Sequence, residues 1–405
     1  MKVLIINGSL HGGSTGKIAS CMYEMLKSNG HQVRFLYGDF PEKADNDDQI
    51  CVSTKTEQFI HKVYNCVTGY NSTFAPLAMS RIEKHIIEFR PDIIQLYNLH
   101  GYYLDIYKLF KLIKKYDIPT VYGMIDEHPY LGYCTYAYDC DQFKTGCKNC
   151  ELKIKHGYMN FWVHNKGRQT FLKKQKAYNS IENIAYTGPE WVTLRARESA
   201  LMHDKRLEII DEFIDTEKTF YPRDTRALRQ ELGISEDKIV VLNVARSDDR
   251  RKGVDSYIEC AKLCQDERYV FMNIGFLGDR SVLPANYIPL DLEYNQDRLA
   301  QYYSLADILV CTSFADTMPN VCLDALACGT PVIGYDITGT PYVADEPLGR
   351  FVKAGDARAL LKAIETDGKK SEETSKACRE YALSRYSPQV YYDKSMKLYK
   401  DLIKN

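Results

Sequence analysis

The most informative segment of the chain reads Ser313-Phe-Ala-Asp-Thr-Met-Pro-Asn-Val-Cys-Leu-Asp-Ala-Leu-Ala-Cys-Gly-Thr-Pro-Val332. Pro319 can begin a helix, because its fixed φ suits the first helical position. Gly329 and Pro331 would end that helix before the apolar strand Val332–Tyr335. A loop, a short helix and a continuous apolar strand in this order are typical of a parallel α/β sheet whose strands are buried on both faces.

A related unit, an apolar strand followed by a loop and an amphipathic helix, occurs twice in the chain, and its positions predict two domains. One begins with the strand 2–7 and the helical pattern 17–27, and the other with the strand 238–244 and the helical pattern 254–264. A chain of 405 residues is longer than one ordinary core requires. We therefore predict an α/β fold with two Rossmann-like, doubly wound domains that face each other across a cleft and bind ligands at the carboxyl ends of their strands.

The polar, proline-containing stretch 215–237 separates the two series of strands and is the predicted linker. The prediction is a first domain of residues 1–214 and a second of residues 215–386. Lys and Arg number 53 against 54 Asp and Glu, so no overall field favours a nucleic acid partner. The chain start lacks a leader pattern and no segment approaches the ~18 apolar residues of a membrane span, so we expect a cytoplasmic protein.

Two carboxylates, Asp316 and Asp324, stand eight positions apart in the quoted segment. At this interval they can flank a loop and the first turn of the next helix. One carboxylate could then contact the reacting part of a ligand, and the other the part by which the ligand is held. The N–H groups that open the helix attract phosphate, because they lack intrahelical partners. The predicted ligand-binding residues between the carboxylates are Thr317, Met318, Asn320 and Val321. The alternative is a helix cap and a surface carboxylate.

Two further loops follow predicted strands. Arg246 and Lys252 lie in the loop after strand 238–244, and two such cations can converge on one diphosphate; the alternative is a solvated loop with internal Arg/Asp pairs. The first loop contains the glycines Gly12, Gly13 and Gly16, whose spacing fits neither a phosphate loop nor a dinucleotide fingerprint. It leaves a backbone that a ligand can approach closely, with Ser14 or Thr15 as helix cap, or else a simple tight turn.

Four cysteines, Cys134, Cys140, Cys147 and Cys150, are spaced C-x5-C-x6-C-x2-C in one loop. Two interpretations stay open: a structural zinc site, or unligated thiols or a disulfide. The stretch 152–176 holds seven Lys or Arg and no acid, interleaved with aromatic residues. It fits either contact with an anionic membrane surface or a solvated helix with one buried stripe.

The quoted segment resembles the E-x7-E motif of retaining, nucleotide-sugar-dependent glycosyltransferases of family four, with both glutamates shortened to aspartate. The segments 90–94 and 98–104, together with Asp126, are similar to a bacterial subgroup that builds surface polysaccharides; where that subgroup has a His before the Asp, this chain has Ile125. The resemblance implies the glycosyltransferase-B (GT-B) architecture, with a C-terminal helix at 387–404 that packs on the first domain.

The resemblance also implies roles for single residues. Asp316 would contact hydroxyls of the donor sugar and Asp324 the ribose, while Arg246 and Lys252 stabilise the leaving diphosphate. The glycine loop would face donor and acceptor. On the acceptor side the implied residues are His100, Tyr102 and, at the catalytic face, Asp126. A lone histidine such as His100 is, alternatively, a satisfied structural residue.

The implied reaction is transfer of a sugar from a nucleoside-diphosphate sugar to a hydroxyl of a glycan or lipid-linked acceptor in polysaccharide biosynthesis. It proceeds with retention and without a catalytic metal. A lipid-linked acceptor would fit peripheral contact of the basic stretch 152–176 with the inner membrane surface. Two other classes remain open: a different nucleotide-sugar enzyme such as an epimerase, and a non-catalytic sugar-nucleotide-binding scaffold.

Overall fold

The protein consists of two compact units in a computed structural model that describes residues 1–38, 43–70, 72–148 and 166–404. The first unit comprises Met1–Glu212 together with Tyr392–Asn405, and the second comprises Phe213–Tyr391. Each unit is built on its own parallel sheet.

The first unit contains a seven-stranded sheet. Its strands are β1 (Lys2–Asn7), β2 (Gln32–Tyr37), β3 (Gln49–Cys51), β4 (Ile93–Leu96), β5 (Thr120–Gly123), β6 (Ile184–Gly188) and β7 (Leu207–Ile209). They are ordered β3-β2-β1-β4-β5-β6-β7, and the pairings among them are parallel. The helices that alternate with them are α1 (Gly13–Ser28), α2 (Lys55–Thr68), α3 (Pro76–Phe89), α4 (Ile106–Tyr116), α5 (Gly167–Tyr178) and α6 (Glu190–Glu198).

The second unit contains a six-stranded parallel sheet ordered β10-β9-β8-β11-β12-β13. Its strands are β8 (Ile239–Val244), β9 (Tyr269–Ile274), β10 (Tyr287–Leu290), β11 (Ile308–Cys311), β12 (Val332–Tyr335) and β13 (Gly349–Val352). Its helices are α7 (Arg226–Glu231), α8 (Val254–Leu263), α9 (Gln296–Leu305), α10 (Asn320–Ala327), α11 (Ala357–Asp367) and α12 (Glu372–Tyr386). A short 3₁₀ turn, Arg250–Lys252, precedes α8.

The last helix, α13 (Pro388–Lys404), begins in the second unit, and from Tyr392 onward its residues belong to the first. The Tyr399 hydroxyl donates a hydrogen bond of 2.7 Å to the buried Gln95 side chain in β4. Asn183 donates through its side-chain amide to the Leu402 carbonyl at 2.9 Å. These bonds join the end of the chain to the first sheet.

One local prediction is wrong. α1 begins at Gly13, so Ser14 and Thr15 lie inside the helix, and the N-cap position is Gly12, which has no capping side chain. α10 begins at Asn320, with Pro319 at its N-cap, so Asp324 is its fifth residue and lies just past the first turn.

Candidate functional site

Both sheets reverse their strand order beside their first strand. In the second unit the reversal lies between β8 and β11, and in the first between β1 and β4. Ligands of doubly wound sheets bind at such switch points, outside the carboxyl ends of the strands. In the second unit the loops that leave this point are 245–253 and 312–319, which carry Arg246, Lys252 and Asp316.

Asp316 and Lys252 form the central ion pair of the second unit. Lys252 Nζ lies 2.6 Å from Asp316 Oδ2, and Arg251 Nη1 lies 3.7 Å from the same oxygen. Arg251 also donates to the Ala315 carbonyl at 2.9 Å, which holds its guanidinium beside the loop. The arrangement can bind a ligand with hydroxyls on the carboxylate and phosphate oxygens on the cations.

Backbone contacts hold the two loops together. Thr312 donates through its hydroxyl to the Lys252 carbonyl at 2.9 Å, and the Phe314 N–H donates to the Arg251 carbonyl at 2.8 Å. Gly253 has φ +63°, and a Cβ there would lie 2.2 Å from the Thr312 carbonyl oxygen. Because only glycine allows both that conformation and that approach, Gly253 sets the position of Lys252.

A third loop, which sequence reasoning missed, closes on the same residues. The Gly339 N–H donates to the Asp316 carbonyl at 2.9 Å, and the Asp316 N–H donates to the Thr338 hydroxyl at 3.2 Å. A Cβ on Gly339 would lie 1.7 Å from the Thr317 carbonyl oxygen. The available signal was a glycine shortly after the buried strand β12, at the same edge of the sheet as Asp316.

The structure places Arg246 differently from Lys252. Its guanidinium makes two hydrogen bonds to Asp248, of 2.9 and 2.7 Å, and the side chain is 55% exposed. This is the internal Arg/Asp pair that was the alternative interpretation of the loop. Arg251, which sequence reasoning did not single out, is the arginine found beside Asp316. A role for Arg246 at the diphosphate stays a prediction.

The residues predicted to bind phosphate lie at and just before the start of α10. Thr317 and Met318 are buried in the loop before it, and Asn320 and Val321 are its first two residues. Asp324 is half-buried on the following turn. Asp324 lies one turn before Cys328, the residue at the C-cap of the helix. Burial and then this carboxylate raise the pKa of the Cys328 thiol to about 12.

In the first unit, Asn7 at the end of β1 connects the two loops of the switch point. Its side-chain oxygen accepts from the Asn98 N–H at 3.0 Å, and its side-chain amide donates to the Ser9 carbonyl at 2.7 Å. The predicted glycines follow directly, with Gly12 capping α1 and Gly13 and Gly16 in its first turn. The glycine loop and the segment that carries His100 are therefore neighbours.

His100 and Asp126, predicted from separate motifs, are brought together. His100 Nε2 lies 2.7 Å from Asp126 Oδ2 and 3.0 Å from the Asn98 side-chain amide nitrogen. The other Asp126 oxygen accepts from the His128 N–H at 2.9 Å. Asp126 and Asn98 thereby orient the partly exposed His100 ring. An imidazole beside a carboxylate can accept or hold the proton of a ligand hydroxyl. The nearby Tyr102 ring packs edge-on against His61.

His128 is buried behind this pair instead of facing a ligand. Its ring centroid lies 5.2 Å from that of His100, and its Nε2 lies 3.3 Å from Lys174 Nζ. Burial, then Lys174 and His100, lower the pKa of His128 well below its usual value, so the ring is neutral near pH 7. His128 is therefore a buried, neutral residue rather than an exposed acid or base.

Lys174 and Glu127 are buried ionisable residues that sequence reasoning missed. Lys174 was counted in the basic stretch 152–176, but it is buried and donates to the His128 and Leu131 carbonyls at 2.6 and 3.0 Å. Burial lowers the pKa of Lys174 to about 7 and raises that of Glu127 to about 7. Glu127 accepts from the Tyr130 hydroxyl and the Ala137 N–H at 2.7 and 3.1 Å. No local pattern in the sequence signals either burial.

Cys134, Cys140 and Cys147 lie around one small cavity with Phe143. Cys150 and residues 149–165, with most of the basic stretch, lie outside the described residues. Within the described ranges, no group of three or more His, Cys, Asp or Glu side chains is arranged to hold a metal ion. The structural zinc site stays a prediction.

Two doubly wound parallel units in one chain are the building blocks of the GT-B fold, and solved structures share this fold. Sucrose-phosphate synthase from Thermosynechococcus elongatus superposes with a TM-score of 0.73 at 17% identity, covering 100% of this chain and 99% of that one. Anabaena HepE, solved in complex with UDP-glucose, gives a TM-score of 0.65 at 15% identity over 99% and 100% of the two chains. The predicted fold class is confirmed.

The family model described as "Glycosyl transferases group 1" matches residues 224–385, which lie in the second unit. An N-acetyl-alpha-D-glucosaminyl L-malate synthase from Bacillus anthracis is 24% identical over 171 residues, 41% of this chain and 42% of that protein. A D-inositol 3-phosphate glycosyltransferase from Mycobacteroides abscessus is 29% identical over 159 residues, 36% and 35% of the two. The chain thus spans less than half the length of these curated relatives. The resemblance to group 1 glycosyltransferases is confirmed.

Proposed function

We propose that this chain transfers a sugar from a nucleoside-diphosphate sugar to a hydroxyl of a glycan or lipid-linked acceptor, with retention at the anomeric carbon. The observation that carries the proposal is the Lys252–Asp316 ion pair at the switch point of the second sheet, beside the start of α10. The pair lies within the segment that matches the group 1 family. The HepE complex with UDP-glucose supports a donor of this chemical class.

On the donor side, the diphosphate is proposed to bind Lys252, Arg246 and the N–H groups that open α10. The bond from the anomeric carbon to the diphosphate oxygen breaks, and its electron pair stays on the diphosphate. The acceptor oxygen bonds to the same face of the sugar, and its proton passes to the departing diphosphate oxygen. Fixed cations lower the barrier because they face the oxygen on which negative charge grows, and we propose that they do so without a catalytic metal.

Asp316 is proposed to hold hydroxyls of the donor sugar and Asp324 the ribose. The loop before α10, with Thr317 and Met318, would line the donor, and Asn320 and Val321 would present their N–H groups to it. Arg251, 3.7 Å from Asp316, joins this set as an additional cation. Binding a sugar hydroxyl would use the carboxylate oxygens that Lys252 leaves available, because a carboxylate accepts about four hydrogen bonds.

On the acceptor side, the His100–Asp126 pair is proposed to orient the acceptor hydroxyl, with Tyr102 beside it. Gly12, Gly13 and Gly16 would let the backbone approach the ligands. In the described part of the chain, no helix has the length and apolar character needed to cross a membrane. We propose a cytoplasmic enzyme in peripheral contact with the inner membrane surface. The family match and the relatives' names support a transferase rather than an epimerase or a scaffold.

The test is a panel of nucleotide sugars screened by thermal shift, followed by release of the nucleoside diphosphate from any donor that stabilises the protein. Lys252→Ala should lower the release rate about 100-fold or more, because one stabilising group is removed from the leaving oxygen. Lys262→Ala, at an exposed lysine of α8, is the matched control. Unchanged turnover in Lys252→Ala would contradict the assigned role, and a lack of any stabilising donor would contradict the proposed function.

A further inference from the structure

Helix α2 exposes its apolar side chains and buries polar ones. Phe59 is 67% exposed, Ile60 48%, Val63 46% and Val67 66%. The buried residues of the same helix are His61 and Asn65. A helix on a soluble domain normally has the opposite arrangement, with its apolar stripe toward the core. The exposed stripe is therefore a candidate interaction surface that no described residue of this unit covers.

Specific contacts keep the polar face of α2 turned inward. The His61 ring packs edge-on against Tyr102 at a centroid distance of 5.7 Å. Gln58 donates to the Ser53 hydroxyl at 2.8 Å and to the Gly38 carbonyl. Glu57 pairs with Arg81 of α3 at 2.7 Å, and Thr54 and Glu57 form a capping box. Rotating the apolar stripe toward the core would break the contacts that His61, Gln58 and Glu57 make outside the helix.

The charge around the stripe is positive. The other exposed residues of α2 are Lys55, Thr56, Lys62 and Cys66, and its single carboxylate, Glu57, is turned away toward Arg81. Just beyond the C-terminal end of the helix, Lys173 and Lys166 lie over the Tyr70 ring, at 3.6 and 5.4 Å from its centroid. Phe74 stacks on Tyr64 of α2 at 4.9 Å and extends the apolar surface.

We propose that this face of α2 docks on an anionic lipid bilayer. Phe59, Ile60, Val63 and Val67 would enter the boundary of the acyl chains, and the lysines would lie among the lipid phosphates, the pattern of an interfacial helix. A bilayer supplies an apolar interior and an anionic rim together. A second copy of the same face would offer no carboxylate to Lys55 and Lys62, so a dimer through α2 is disfavoured.

The position of the surface connects it with the acceptor side. The His61–Tyr102 contact places the buried face of α2 against the segment that carries His100. A bilayer on the outer face would bring a lipid-linked acceptor close to that segment. The docking assigns a surface to the peripheral membrane contact proposed above, and this consequence for the acceptor rests in addition on the proposed transfer reaction.

Sedimentation of the full chain with vesicles tests the proposal. The wild type should bind vesicles of mixed phosphatidylglycerol and phosphatidylcholine, and added salt should weaken the binding. Replacing three apolar residues, Phe59→Ser with Val63→Ser and Val67→Ser, should lower the partition coefficient at least about tenfold. The matched control is Leu277→Ser with Val282→Ser, two exposed apolar residues of the second unit, which should leave binding unchanged.

Three results would overturn the docking: a wild type that stays in the supernatant, a triple variant that binds like the wild type, or a dimer in solution that the triple variant makes monomeric. Because the replaced side chains are exposed, an unchanged melting temperature checks that the variant is folded. Release of the nucleoside diphosphate from a soluble donor should continue in the triple variant. Its absence in the wild type would defeat the proposed function and leave the vesicle result standing.

Discussion

Gly253 shows how one residue controls the geometry of the donor-side loops. It has φ +63°, and the Thr312 carbonyl oxygen occupies the space beside its Cα. The same turn presents Lys252 to Asp316 at 2.6 Å. Any side chain at this position must push the 250–253 turn away from the 312–316 loop, because the carbonyl belongs to the backbone and cannot rotate aside.

We expect Gly253→Ala to destabilise the second unit and to impair donor binding. Gly233→Ala is the matched control, since Gly233 has φ +66° and no atom within 4 Å of the added Cβ. Both variants place an alanine in the left-handed conformation, so that cost is common to them. Because of the clash, the unfolding free energy of Gly253→Ala should be roughly 1 to 3 kcal/mol lower than that of the control. Equal melting temperatures for the two variants would show that the turn moves without cost.

Glu127 and Lys174 give the first unit two opposite responses to pH. Burial raises the pKa of Glu127 from 4.5 to about 7, so between these values the folded state binds more protons than the unfolded state. The unfolding free energy therefore falls as pH rises through that window. Burial lowers the pKa of Lys174 from 10.5 to about 7, so the unfolding free energy rises with pH between 7 and 10.5.

Glu127→Gln should remove the first of these responses. The contribution of Glu127 changes by roughly 3 kcal/mol between pH 4.5 and 7, and glutamine keeps the shape of the side chain without its titration. The measurement is urea unfolding at pH 5 and pH 7.5, followed by hydrogen exchange in the strands of the first unit. Glu24→Gln, at an exposed residue of α1, is the control and should behave like the wild type. An unchanged pH dependence in Glu127→Gln would contradict the assignment.

At the scale of elements, strands were predictable from sequence where their residues are apolar without interruption. β1, at Lys2–Asn7, and β12, at Val332–Tyr335, lie where the sequence placed them, because strands buried on both faces read as continuous apolar runs. The loops after them follow from chain order, which is why Lys252 and Asp316 could be proposed together. The start of α1 was placed too late, because glycines inside a first turn resemble a loop.

The orientation of an element was not predictable in the same way. Periodicity in α2 indicates an apolar stripe but not whether the stripe faces the core, and tertiary contacts of His61 and Gln58 decide it. The choice between Arg246 and Arg251 as neighbour of Asp316 likewise depends on the 3₁₀ turn Arg250–Lys252, which no local pattern specifies. Lys174 is buried for the same reason, because carbonyls distant in the chain surround it.

Arg379 of α12 joins three segments of the second unit. Its guanidinium donates to the carbonyls of Phe220, Ala327 and Thr216 at 2.8, 3.1 and 2.7 Å. Ala327 is the last residue of α10, so this arginine fixes the end of the helix whose start is the proposed phosphate site. Lysine cannot reproduce the three bonds, because its single ammonium lacks the spread of a guanidinium.

Arg379→Lys should therefore lower the unfolding free energy of the second unit by about 2 to 3 kcal/mol, since buried carbonyls lose charged donors. The melting temperature of the variant should be compared with that of Arg358→Lys, a change at an exposed arginine of α11. If the two melt together, Arg379 does not carry the structural role that its three bonds indicate. If a nucleotide sugar also raises the melting temperature of Arg379→Lys less than that of the wild type, the end of α10 influences ligand binding at its start.

At the scale of the whole molecule, both units have a doubly wound parallel sheet, and the chain returns to the first unit through α13. Two buried tyrosines near the end of the chain each make a hydrogen bond within a different unit. Tyr399 donates to Gln95 at 2.7 Å in the first unit, and Tyr386 donates to the Val343 carbonyl at 2.6 Å in the second. Both rings are fully buried, so the two bonds form a matched pair.

Tyr399→Phe should increase hydrogen exchange in β4 and its neighbours and leave the second sheet protected, because it deprives the buried Gln95 oxygen of its donor at a cost of about 1 to 3 kcal/mol. Tyr386→Phe should do the reverse, with faster exchange around Val343 and an unchanged first sheet. Mass spectrometry of exchanged peptides from both variants separates the two effects. Equal changes in both units for either variant would mean that they unfold as one cooperative body, and that the division at Glu212 and Tyr392 has no energetic counterpart.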